Sequence, residues 1–167
     1  MEARAKLLGH AIHQMLIPFP LGLLSTAVIF DLVHLVTGTG MWATVSYWMI
    51  AAGVIGGLAA AVFGAIDWTA LPRDTRAKRV ATLHGVGNVI VVLLFSVSWL
   101  LRRADASDPG VLPILVALAG AGVSLYTAWL GGELVARMGV AVDDGAHLDA
   151  PSSMSGRPAG ENARSGA

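Results

Sequence analysis

The sequence contains no cysteine. That excludes disulfides, thiolate-bound metals, iron–sulfur clusters and a covalently attached c-type haem, each of which needs a thiol. Charge is scarce as well. Asp, Glu, Lys and Arg make up 13% of the 167 residues, about half the share found in ordinary soluble proteins. The shortage is local. Of eleven cationic and eleven anionic side chains, only Asp31 falls within segments 15–36, 46–66, 80–101 and 111–130. A soluble globule is therefore excluded, and the formal net charge of zero argues against nucleic acid as a partner and against strong electrostatic steering.

What the sequence does have is apolar length. A helix crosses the roughly 30 Å hydrocarbon layer in about 20 mostly apolar residues, and each of the four segments reaches that length. Barrel strands would alternate in runs of about ten residues, which these do not. The fold class that follows is all-α: an integral membrane four-helix transmembrane bundle over residues 1–142, whose main partner is the lipid bilayer. The first run follows Arg4 and Lys6 as a signal peptide would, but it outlasts a signal peptide's apolar stretch of about 7–15 residues. It reads as an uncleaved span. Residues 143–167 turn to Gly, Ser, Pro, Ala and scattered charge, and are expected to form a disordered cytoplasmic tail.

An even number of spans puts the N-terminus, the loop after span 2 and the C-terminal tail on one side. Near the spans that side carries Arg4, Lys6, Arg73, Arg76, Lys78, Arg79 and Arg137. The other side carries only Arg102 and Arg103. Seven cations against two place both termini in the cytoplasm of a bacterial cell, with the chain multi-pass in the inner membrane.

Pro18 and Pro20 are expected to distort the start of span 1. Thr37-Gly38-Thr39-Gly40 forms a tight outer turn. Trp42, Tyr47, Trp48 and Trp99 gather at the outer interface, and Trp68, Tyr126 and Trp129 at the inner one. Small residues recur four apart at Gly53/Gly57, Gly56/Ala60/Gly64 and Gly120/Ser124/Ala128/Gly132, a pattern that lets helix backbones approach closely in lipid. Asp74 or Thr75 caps the third helix. No long-period repeat stands out, and two hairpins of similar length leave a two-fold arrangement open.

At the cytoplasmic ends each span offers one ionisable group: His13, Asp67, His84 and Glu133. Asn88 lies one turn beyond His84 on the same helix face. His84 and Asn88 lie within the apolar run, where polar groups turn to the bundle interior and find partners. A helix–helix hydrogen bond is the simplest role. The sharper readings are a b-type haem on His13 and His84, a metal held by His13, Asp67, His84 and Glu133, or a proton relay through the same groups. Spacing alone leaves these open. Towards the outer face, Asp31 needs a counter-ion, and Arg102 or Arg103 stands at its level. No Ser/His/Asp order or phosphate-cradling loop is present, so a soluble-type enzyme has no support.

The stretch from His13 to Leu24, His-Gln-Met-Leu-Ile-Pro-Phe-Pro-Leu-Gly-Leu-Leu, resembles the opening motif of the bacterial membrane family called domain of unknown function 2231. That motif reads His-Pro-x-x-Val-His-Phe-Pro-Ile-x-Leu-Leu. The similarity continues at Asp31, at Gly64-Ala-Ile-Asp67-Trp68, at His84 with Asn88, and at Gly131-Gly-Glu-Leu-Val135. The resemblance implies a four-helix inner-membrane protein and marks His13, Asp67, His84, Asn88 and Glu133 as characteristic positions. Two departures weaken any site built on further histidines: Pro18 and Met138 stand where members often carry one. The leading functional expectation is a haem- or metal-binding redox-accessory module centred on His13, His84 and Asn88, with a homo-oligomer or a membrane redox protein as partner. Alternatives are a small proton-coupled transporter working through Asp31, or a structural or assembly subunit of a membrane complex.

Overall fold

Charge-free runs become four helical spans, Ile12–Thr37, Gly40–Ala70, Arg76–Leu101 and Val111–Arg137, each long and apolar enough to cross a membrane. The computed structural model describes residues 1–162; the end of the expected tail, 163–167, lies outside the described residues. Before the spans, β1 (Lys6–Leu7) and β2 (His10–Ala11) form a two-stranded antiparallel ladder. Its turn puts Leu8 at φ 51° and Gly9 at φ 85°, the left-handed pair that tight hairpins require.

Span 1 is α1 (Ile12–Leu16) followed by α2 (Pro18–Thr37). Pro18 has no N–H to donate, so the helix is interrupted at Ile17. The rails nevertheless continue: Ile17 N donates to His13 O at 3.1 Å, and Leu21 N donates to Ile17 O at 3.1 Å. Gly38 ends α2 at φ 66°, its N–H returning to His34 O, as a left-handed C-terminal residue does. Span 2 is α3 (Gly40–Ala70) and span 3 is α4 (Arg76–Leu101). Thr75, rather than Asp74, caps α4: its hydroxyl accepts the Lys78 N–H at 3.1 Å. Span 4 is α5 (Val111–Gly132), which runs on into a single π turn, Glu133–Arg137.

Short connections make neighbouring spans antiparallel, giving two hairpins, spans 1–2 and spans 3–4. Span 2 also packs on span 3, and span 1 on span 4, which closes the ring and leaves spans 1 and 3 on a diagonal. Leu24, Ala27, Val28, Ile50, Val91, Phe95 and Ala117 build the core, with every span contributing. The glycine stripes set the closeness of approach. A Cβ on Gly53 would fall 2.6 Å from Leu24, and one on Gly120 would fall 3.0 Å from the Phe95 ring. Outward faces such as Ile29, Leu32, Leu58, Leu93, Leu115 and Leu125 are exposed, which in a membrane is the surface that lipid covers.

The N-terminal segment and the described chain beyond the last span lie at the same end. The Met1 ammonium donates to Gly139 O at 3.1 Å. Lys6 bridges Asp143 at 2.6 Å and Glu2 at 2.7 Å. Ser153, in a 3₁₀ turn (Ser153–Ser155), donates to Leu8 O at 3.0 Å.

Candidate functional site

Two polar centres occupy opposite ends of the bundle, and both sit on the diagonal between spans 1 and 3. At the end that carries the N-terminal segment, His13 Nδ1 lies 2.8 Å from the Ala60 carbonyl of span 2. His84 Nδ1 lies 2.8 Å from the Thr127 carbonyl of span 4. A carbonyl only accepts, so each Nδ1 is the donor, and in the neutral ring the lone pair is left on Nε2. Small residues make room for both rings. A Cβ on Gly64 would sit 2.9 Å from His13, and one on Gly131 would sit 3.1 Å from His84. The two imidazoles then meet edge to face, centroids 6.4 Å apart and planes at 88°.

Asn88 completes this centre on one side. Its amide donates to His84 Nε2 at 3.1 Å and to His84 O at 2.9 Å. Its oxygen accepts from the Thr127 hydroxyl at 3.2 Å. No partner among the described residues occupies His13 Nε2.

The two carboxylates of the expected four-residue metal set lie elsewhere. Asp67 Oδ1 accepts the backbone N–H groups of Arg4 at 2.8 Å and Ala5 at 2.9 Å, so it anchors the N-terminal segment. Glu133 pairs with Arg76 at 2.9 Å. Among the described residues, no group of three or more His, Cys, Asp or Glu side chains converges where a metal ion could be held. Of the set His13, Asp67, His84 and Glu133, the two histidines lie side by side while the two carboxylates bond to other partners. Equal depth in the bilayer does not bring side chains together when they leave their helices at different angles.

At the opposite end Asp31 and Arg102 are fully buried. The guanidinium grips the carboxylate with two parallel bonds, Nη1 to Oδ1 and Nη2 to Oδ2, each 2.6 Å. Nη1 also donates to Ser46 Oγ at 3.2 Å, and Nε donates to Ser98 Oγ at 3.2 Å. Ser98 Oγ in turn donates a hydrogen bond to Pro113 O at 2.7 Å. All four spans join in this cluster. Arg103 lies outside it, 5.8 Å from the centre of the Trp99 ring. Ser46, Ser98 and Thr127 escaped the sequence reading because hydroxyls pass unnoticed in apolar helices. Ser98 did carry a signal, standing one turn before Arg102.

The fold and its two polar centres, one partly and one fully buried, define an integral membrane four-helix bundle. The family model described as a predicted membrane protein, domain of unknown function 2231 (DUF2231), matches residues 9–144, and the chain belongs to that family. No curated protein and no solved structure matches it.

Proposed function

We propose that the chain is a membrane-embedded redox-accessory module that binds one metal ion between His13 and His84. The observation that carries this reading is the pair of Nδ1–carbonyl bonds at 2.8 Å. Such bonds fix the tautomer and aim of an imidazole, as second-shell partners do for metal-binding histidines. Metal–nitrogen bonds of about 2.0 Å on opposite sides of one ion put two imidazole centroids about 6.3 Å apart; the centroids here are 6.4 Å apart, so an ion fits once the rings turn their Nε2 atoms towards each other. With two neutral nitrogens and no carboxylate, a dication would keep its whole charge in a low-dielectric setting. A monovalent ion costs less to bury. Imidazole suits copper, and copper(I) accepts two donors, so copper(I) is the best match. Haem is a poorer one: the rings rest against Gly64 and Gly131, and a macrocycle between them requires the helices to part.

Loading detergent-purified protein with copper(I) under anaerobic, reducing conditions tests the reading. One ion per chain is expected to survive desalting, with none in His13→Ala or His84→Ala and no Soret band in any sample. Equal retention by wild type and both variants would refute it.

A second reading, a structural subunit with no ligand, is favoured by Asn88, whose amide already occupies His84 Nε2. The two part at Asn88→Ala: copper retention should hold or rise if the site binds metal. Transport through Asp31 draws no support, since that carboxylate is enclosed and doubly bonded to Arg102. The excess of cations near the terminal end favours a cytoplasmic position for both termini in the inner membrane.

A further inference from the structure

The two hairpins repeat one another in space. Span 1 residues find their counterparts 71 positions later in span 3: His13 and His84, Leu24 and Phe95, Asp31 and Arg102. Span 2 residues find theirs 67 positions later in span 4: Gly53 and Gly120, Ala60 and Thr127, Gly64 and Gly131. The contacts repeat with the positions. Gly53 faces Leu24 as Gly120 faces Phe95, and Gly64 faces His13 as Gly131 faces His84. His13 reaches the Ala60 carbonyl and His84 the Thr127 carbonyl, both at 2.8 Å.

In a two-fold arrangement, a residue on the axis meets its own counterpart. His13 meets His84, and Asp31 meets Arg102. Both polar centres therefore lie on the pseudo-two-fold axis. The histidine pair is the same from either side. The second pair has opposite signs, and this asymmetry has a consequence for assembly.

Because the hairpins share a packing plan, the inner face of either one also suits a second copy of itself. Pairing hairpin 1 with hairpin 1 of another chain would set Asp31 against Asp31. Pairing hairpin 2 with hairpin 2 would set Arg102 against Arg102. Either arrangement buries like charges at contact distance with no counter-ion, while the heterotypic pair satisfies both groups. We infer that the Asp31–Arg102 pair is a selectivity element, which makes the inner face of hairpin 1 accept hairpin 2 and reject a second copy of itself. The inference does not depend on the metal reading, since it concerns the opposite end of the axis.

The test uses the full chain. The sequence has no cysteine, so Ala27→Cys, one turn from Asp31 on the same face, supplies a single thiol. In the wild-type background, oxidative cross-linking in membranes should give no disulfide-linked dimer through that thiol. In Asp31→Leu/Arg102→Leu, where the charges no longer discriminate, that dimer should appear at least tenfold more strongly. A trans-complementation pair covers the case in which the neutral variant does not accumulate. Asp31→Arg and Arg102→Asp, each defective alone, should accumulate and co-purify through different tags when co-expressed, because each supplies the hairpin that the other needs. The inference is overturned if the neutral variant accumulates but cross-links no more than wild type. If that variant is lost, failure of the two reversals to co-purify overturns it.

Discussion

Burying a carboxylate and a guanidinium in a bilayer is costly for each alone, and Asp31 and Arg102 offset that cost by holding each other. The arrangement is bidentate, with every guanidinium nitrogen bonded. Removing one partner leaves the other charged and enclosed, which costs about 3–5 kcal/mol where such pairs are buried. Asp31→Asn and Arg102→Met should each lower the unfolding free energy by about that amount, read from detergent-titrated unfolding. Asp31→Leu/Arg102→Leu should lose less than either, since no charge is stranded; a double variant as damaged as the sum of the singles would contradict this account. The charge of Asp31 in an otherwise neutral half of the chain was legible from the sequence. The choice of Arg102 over Arg103 was not, because adjacent residues differ by about 100° around a helix axis.

The helices pack closely because glycine stands where a neighbour needs the space. On α4 the contrast is sharp: a Cβ on Gly87 would collide with the Thr127 methyl, whereas one on Gly85 meets nothing within 4 Å. Gly87→Ala should therefore destabilise the pairing of spans 3 and 4 by about 1–3 kcal/mol. Gly85→Ala should be neutral or slightly stabilising, since it improves helix propensity at no steric cost. Equal unfolding midpoints for the two variants would sink the argument. The same scale explains why apolar segments and helices differ in length. The segment 46–66 marks the apolar stretch, while α3 runs Gly40–Ala70, roughly 46 Å at 1.5 Å per residue. Hydropathy reports what enters the hydrocarbon layer. Backbone hydrogen bonds continue beyond it.

In the whole molecule, the N-terminal segment is tied to the chain beyond the last span at the terminal end. Lys6 joins Asp143 and Glu2 there, and those partners, Asp143 foremost, hold its ammonium above the ordinary lysine value of 10.5. A raised pKa means the folded state favours the charged form. The clamp is therefore at full strength below 10.5 and is lost as the pH rises through the higher folded value. The groups are part-exposed and screened by salt, so the effect is local. Lys6→Ala should speed amide exchange in residues 1–11 at pH 8 while leaving exchange in the four spans unchanged; exchange at the wild-type rate in residues 1–11 would show the clamp to be idle. Asp67, holding the Arg4 and Ala5 amides, should keep the segment from detaching altogether. By itself the sequence determined the four apolar spans, their hairpin order and the one charged side chain within them. Partition into lipid depends on local composition, and local composition is written in consecutive residues. The tertiary structure decided which groups meet. His13 faces His84 and Asp31 grips Arg102 from 71 residues away, while Asp67 and Glu133 turn to the N-terminal amides and Arg76. That choice rests on the rotation of each helix about its axis and on close packing at Gly64 and Gly131, and depth in the membrane specifies neither.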